Sequence, residues 1–371
     1  MQKDFHYYGT YCAAFLAGYT HEECMEICYS AQFVDLCSET LLRKIKAPPE
    51  AATTQFQLEL MDTKPDIAGL QKITRIWASF HFLPHDLYAV RKGAPKRYLD
   101  KYRLICDTNS DLLVETVKLA KNSGLPAAGI AMHVLADTWA HRYFAGTPSL
   151  VINNTDFCFY EIIPGENDFT ERAVQFIHNP SAQDDPEKGV YVNTIHQNSE
   201  ISVMNLGHGR AGHLPDYSYA RYRYLPAWGD YEEIVKDNPS DYMNAFCQMI
   251  YALRYLRGDE PSFEKNRYDT AAAEPWRERI EAILEKRQTD ACEEWKKLGE
   301  EMSGHEIEDF DIGKYEPEYT GSADRGSTFL GRFTAAAIAQ KSMVTYNIYK
   351  SGNKLAGTAI IKSGKERSVK K

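Results

Sequence analysis

The chain has 371 residues, 43% of them hydrophobic, and a net charge of −9. That is enough apolar material for one large domain or two modest ones, and the negative balance argues against a generic nucleic-acid binder. No run approaches the ~18 apolar residues needed to span a bilayer.

Residues 5–17 read as a first helix ending near Gly18. No long apolar stretch follows the N-terminal charges, so the opening does not read as a signal peptide. A cytoplasmic location is expected, with the eight cysteines as reduced thiols. Thr20-His-Glu-Glu23 is a capping box that starts a second helix. Its inward stripe is Cys24, Ile27, Cys28, Ala31 and Val34, and Asp35, about three turns beyond Cys24, is expected to point inward too. Residues 47–68 read as a loop with a short helix. In Trp77-Ala-Ser-Phe-His-Phe-Leu-Pro84, His81 sits in an apolar run that a proline stops; His85 is expected to be its exposed neighbour.

Residues 97–122 read as a helix, broken by Asn122-Ser-Gly-Leu-Pro126. The segment that follows carries His133, Asp137 and His141 at i, i+4 and i+8. Successive members drift only about 40° around a helix and share one face. The histidines stand about 12 Å apart along the axis. That is too far for one ion but suits two ions about 3.5–4 Å apart, with Asp137 as a bridge.

Residues 145–205 are mixed, with a short strand pair expected near 157–163 and His178 placed in a turn. Gly207-His-Gly-Arg-Ala-Gly-His-Leu-Pro-Asp216 is a tightly turned polar segment holding His208, His213 and Asp216. Arg210 in this loop is a candidate phosphate contact. Tyrosines cluster at Tyr7, Tyr8 and Tyr11, and again at Tyr217, Tyr219, Tyr222 and Tyr224. Tyr217 is a candidate pocket residue, as amphipathic rings can line a binding site. Helices are expected from Asn238 to about Arg257, from Pro275 to about Met302 and from Thr328 to about Tyr349, followed by a basic tail from Lys362. The division expected is a metal-binding helical core (1–225), a helical scaffold or cover (226–350) and a flexible tail (351–371).

The candidate ligands are His6, Asp35, His81, His133, Asp137, His141, His208, His213 and Asp216. An all-His/Asp set suits Zn²⁺, with Mn²⁺ or Fe²⁺ as alternatives. It is larger than a closed structural zinc site and fits a multinuclear catalytic cluster.

The order and types of these residues resemble the zinc-dependent phospholipase C / P1 nuclease superfamily. The resemblance covers about residues 1–220 and rests on the joint order of short motifs: an N-terminal His, an Asp on the next helix, a lone His, a His-x3-Asp core and a final His–acid pair. The runs Asp4-Phe-His-Tyr-Tyr8, Phe80-His-Phe-Leu-Pro84 and Gly212-His-Leu-Pro-Asp216 also resemble a family of uncharacterised bacterial proteins.

The resemblance implies a mainly α, multi-helix core, here with added C-terminal helices, a cluster of two or three zinc ions and hydrolysis of phosphate esters. It puts Asp35, His81, His133 and Asp137 on one ion. His141, His208 or His213, and Asp216 fall on a second, and His6 with Asp137 on a third. Asp35 would double as the base that orients water. The core motif is two residues shorter before its last His than in the superfamily, and His213 and Asp216 are one residue closer. Where secreted members use a free terminal amine, Asp4 is the substitute expected. A single-strand nuclease of the same fold and a non-catalytic, metal-stabilised binding protein are the alternatives.

Overall fold

The computed structural model describes residues 1–358 apart from 64–65, 156, 166–167, 180 and 195–198. The basic tail expected from Lys362 therefore lies outside the described residues. The chain is mostly helical, about 52% helix and 9% strand. Among the described residues, no helix is long and apolar enough to cross a membrane.

The middle of the molecule is the helix Leu125–Ala140, buried along its length from Pro126 to Ala140. Gly124, at φ +86°, turns the chain into it, and Pro126 stands in its first turn, where a missing N–H costs nothing. Around it pack the helices His21–Phe33, Asp111–Ala120, Asn238–Arg257 and Phe329–Lys350. The closest approach is at Gly129, where a Cβ would lie 2.3 Å from the Ile27 carbonyl and 2.5 Å from Ser30 Cβ. Only glycine lets these two backbones meet. One hydrophobic core draws its residues from Met1 through to Ala356.

Several elements differ from their sequence reading. The first helix opens as a π-helical stretch, Asp4–Gly9, and becomes α-helical over Thr10–Leu16. The span 97–122 is two helices, Lys96–Tyr102 and Asp111–Ala120, because Ser110 caps the second by accepting from Leu113 N–H. The long helix expected from Pro275 is likewise split, into Arg277–Glu285 and Cys292–Ser303.

Strand content exceeds the expected pair. Strands β1 (Phe157–Pro164), β2 (Phe169–Ala173), β5 (Arg221–Leu225) and β6 (Ile234–Asp237) form a sheet in the order β2-β1-β5-β6. Its pairings are antiparallel, with Glu161 opposite Tyr222. Strands β3 (Gln175–Ile177) and β4 (Val190–Val192) pair in parallel. The sheet has its own apolar cluster, in which Tyr222 and Tyr224 meet Phe144 and Phe159. The chain between β4 and β5 passes through three short 3-10 turns, the last two being Gly209–Ala211 and Leu214–Asp216. These turns bring His208 and Asp216 against the C-terminal end of the central helix.

Candidate metal centre

Asp137 is the hub. It is buried, and both of its oxygens are crowded by nitrogen. Oδ1 lies 2.8 Å from the Met1 amine and 3.1 Å from His6 Nε2. Oδ2 lies 3.1 Å from His133 Nε2, 3.2 Å from His81 Nδ1 and 3.5 Å from His141 Nδ1. Asp35 stands at the edge, 3.8 Å from both His81 Nδ1 and His133 Nε2, with its side chain 30% exposed. On the other side Asp216 Oδ1 lies 2.9 Å from His141 Nε2 and 3.1 Å from the Met1 amine, and Oδ2 lies 3.5 Å from His208 Nε2. Three groups result, each with ligand atoms within 4.8 Å of one another: His6, His133 and Asp137; Asp35, His81 and His133; His141, His208 and Asp216.

Local structure explains the placement. The helix Ile67–Phe80 ends at His81, which occupies the C-cap position, and His141 does the same for the central helix. Asp35 follows the helix His21–Phe33 by two residues. The His6 ring stacks on the His133 ring at 3.9 Å. Asn238 fixes the Asp216 turn, its Nδ2 donating to the carbonyls of Leu214 (3.0 Å) and Tyr217 (2.8 Å).

The hydrogen bonds fix the protons. A carbonyl oxygen only accepts, so a ring nitrogen facing one carries the hydrogen. His133 Nδ1 faces Ala31 O at 2.9 Å, and His141 Nδ1 faces His81 O at 2.7 Å. His208 Nδ1 faces Gly212 O at 2.8 Å, and His81 Nε2 faces Thr53 O at 3.1 Å. Each of these four imidazoles therefore donates outward from one nitrogen and turns the other inward, toward carboxylates. Burial pushes His208 down to about 4 despite Asp216, and burial with His133 beside it pushes His6 down to about 4. Neither ring is an imidazolium at neutral pH. Burial alone would raise Asp137, but His141, the Met1 amine, His133 and His6 hold it well below the usual carboxylate range. Asp216 is held low in the same way by the amine and His208. Burial opposes the charge on the Met1 amine, yet Asp137, Asp216 and Asp35 raise it to about 11. Where the ring is neutral, as His208 is, the inward nitrogen sets a lone pair against a carboxylate, which is repulsive unless a cation lies between them; the Met1 ammonium already plays that part, 2.8 Å from Asp137 and 3.1 Å from Asp216. The donor set thus fits bound cations, and its outward N–H···O=C bonds are the outer partners that metal-binding histidines use to fix their tautomer.

Four expected residues are not in the cluster. His213 is turned outward, its side chain 57% exposed and 3.4 Å from Asp184; the glycine-rich turn presents His208 instead. Arg210 is buried and holds the loop from within, donating to Asn205 Oδ1 at 3.0 Å. Tyr217 is buried against Tyr219, its hydroxyl donating to Asp184 at 2.6 Å. Tyr222 and Tyr224 are buried as well, so these rings offer no stacking platform for a single strand. Asp4 accepts from the backbone N–H of Phe5 and Ala291, at 2.7 and 3.2 Å, and the Met1 amine occupies the place assigned to it.

A family model described as a family of unknown function (DUF6765) matches residues 1–348. The chain belongs to this family. No curated protein and no solved structure matches it. Within the family match fall all the residues of the cluster, from Met1 to Asp216.

Proposed function

We propose that this chain is a metal-dependent hydrolase of phosphate esters, with zinc as the preferred ion and a site of the phospholipase C / P1 nuclease type. The observation that carries the reading is the set of four histidines, each tied outward to a backbone carbonyl and each aiming its free nitrogen at Asp35, Asp137 or Asp216. In this reading Asp35, His81, His133 and Asp137 hold one ion, and His141, His208 and Asp216 a second. His6 and the second oxygen of Asp137 would hold a third once the Met1 ammonium beside them gave up its proton. Zinc bound there would supply Lewis acidity toward phosphoryl oxygens and bring the pKa of water near neutrality.

The protein's own contribution is geometric and electrostatic. Asp137 would serve two ions, since its Oδ1 faces His6 and its Oδ2 faces His81. In this reading Asp35 would orient water and take its proton, and its partial exposure at the edge of the cluster supports that role. Eight free cysteines, all but Cys158 buried, support the reducing cytoplasmic setting that belongs to this reading.

Elemental analysis of the purified protein, followed by assay on a panel of phosphate mono- and diesters with and without chelator, tests the proposal. Bound zinc and chelator-sensitive turnover support it. Metal-free protein, or turnover indifferent to chelator, removes it. Bound metal without turnover of any ester leaves the non-catalytic, metal-stabilised alternative.

A further inference from the structure

Beside the cluster lies a cleft of about 490 Å³. It reaches the centre through three rings. His208 lines it directly, Phe82 stacks on His141 at 4.8 Å, and Trp77 lies 4.9 Å from the His81 ring. Its remaining walls are mostly apolar, with Leu60, Met61, Val203 and Met204 among them. Among the described residues that line it, none is Asp, Glu, Lys or Arg.

Three buried polar atoms in these walls have no hydrogen-bond partner: Gln55 Oε1, Trp77 Nε1 and Asn193 Oδ1. Gln55 is only 4% exposed. The Asn193 amide nitrogen is already committed, donating to Arg210 O at 2.9 Å, so its oxygen is the end left over. A buried polar group without a partner forfeits a hydrogen bond that water gave it in the unfolded chain. Three of the twelve such atoms among the described residues stand around this one cleft, closed to solvent as they are, and a ligand completes them by a turn of the side chain. Two are acceptors and one is a donor. His178 and His213 also line the cleft, and the His213 imidazole is already paired with Asp184 at 3.4 Å, so a charged group would find no Asp, Glu, Lys or Arg among the described lining residues to offset its lost hydration.

We infer that the cleft is the specificity subsite of the proposed hydrolase, and that it selects phosphate esters of an uncharged, largely apolar alcohol or phenol carrying a hydrogen-bond donor. The donor pairs with Gln55 or Asn193, Trp77 donates to an oxygen of the same group, and the phosphoryl end faces His208 and the cluster. Esters of charged head groups, and small alkyl esters that do not reach the cleft, are poor ligands. This inference rests on the hydrolase reading, so its test has an arm that does not.

In the first arm, the zinc-loaded protein is titrated calorimetrically with methylphosphonate, 4-hydroxybenzylphosphonate and 4-carboxybenzylphosphonate, none of which is hydrolysed. The hydroxybenzyl probe should bind about tenfold tighter than either of the others. Leu60→Asp, on the short helix Gln57–Asp62 that has no buried residue, should erase that advantage. In the second arm, the metal-free protein receives 4-hydroxybenzyl alcohol while the Trp77 indole N–H is followed by NMR, assigned with Trp77→Phe. A saturable shift is expected. Equal affinities for the three phosphonates, with no indole shift, overturn the subsite and leave the metal centre standing. Absence of all phosphonate binding alongside a saturable indole shift overturns the hydrolase reading and leaves the subsite.

Discussion

Gly129→Ala tests the construction of the centre without touching a ligand. The new methyl group would lie 2.3 Å from Ile27 O, 2.5 Å from Ser30 Cβ and 3.0 Å from Ala31 N. A relaxed carbon–oxygen contact needs about 3.5 Å, so the two helices must part by about 1 Å. All three contacts are backbone or Cβ atoms of a packed helix, which cannot swing aside as a long side chain would. The bond most exposed to this shift is His133 Nδ1–H to Ala31 O, now 2.9 Å. Lengthened by about 1 Å it no longer counts as a hydrogen bond. Overpacking of this kind costs about 1–3 kcal/mol, and the lost bond about 1 kcal/mol more. For a chain of this size the metal-free protein should then melt roughly 3–5 °C lower, taking an unfolding entropy of about 2.1 cal/mol/K per residue. Metal affinity should fall by about 10- to 100-fold, because His133 loses the partner that fixes its ring and tautomer. Thermal unfolding in chelator and a competition titration with a metal indicator measure the two effects separately. A variant with the parent melting temperature and undiminished metal affinity would refute the claim that this helix contact sets the ligand.

The other expectations are simpler to state. Asp137→Asn should remove at least one ion per chain by elemental analysis and destabilise the metal-free protein by about 3–5 kcal/mol, since the buried Met1 ammonium loses its nearest carboxylate, 2.8 Å away. His208→Ala should lower the metal content while His213→Ala leaves it as it was; equal losses from both would mean that the glycine-rich turn has been misread. Lys341 is buried, with its ammonium donating to Ala52 O at 2.7 Å, and burial lowers it to about 8. Between about pH 8 and 10.5 the unfolded chain holds this proton more firmly than the folded one. Stability from this group therefore rises with pH across that window, by about 3 kcal/mol in all. Lys341→Met should accordingly stabilise the protein at pH 7, by less than about 3 kcal/mol because the bond to Ala52 O is lost, and should flatten the alkaline rise in a denaturant series.

What could be read from the chain alone follows the range of the interactions involved. The spacing of His133, Asp137 and His141 is fixed by helical period, so their common face was legible before any contact was known. His81 was legible because Pro84 stops an apolar run in which a histidine has to be buried. The choice between His208 and His213 was not legible, since both sit in a glycine-rich turn and the difference lies in backbone angles such as φ +58° at Gly212. Nor could spacing reveal that backbone carbonyls of Ala31, Thr53, His81 and Gly212 assign the tautomers, because every residue carries a carbonyl. The tyrosines were open to two readings, pocket lining or ordinary packing, and packing is what the fold shows. Arg221-Tyr-Arg-Tyr-Leu225 alternates with a period of two, the mark of a strand, and the alternation sends Tyr222 and Tyr224 into the core and the arginines outward. Asn238 looked like a helix start and is one, but its side chain also staples the turn that carries Asp216.

Helix polarity supplies an argument for cations that is independent of proton positions. The helices His21–Phe33, Ile67–Phe80 and Leu125–Ala140 all deliver their ligands from their C-terminal ends, as Asp35, His81 and His141. His81 neighbours both of the others: Asp35 lies 3.8 Å from its ring, and His141 donates to its carbonyl at 2.7 Å. A helix C-terminus carries about half a negative charge, from carbonyls without intrahelical partners. Three such ends therefore add their negative potential to that of Asp137 and Asp216. Convergence of this sign favours a bound cation and disfavours a bare anionic substrate. The Met1 ammonium is already shared between Asp137 and Asp216, so the centre attracts a phosphate ester only once metal adds positive charge. The order of events follows: metal first, ester second. Phosphonate affinity should therefore disappear in chelator and return with added zinc, whereas phosphonate binding to the metal-free protein with undiminished affinity would contradict the electrostatic picture.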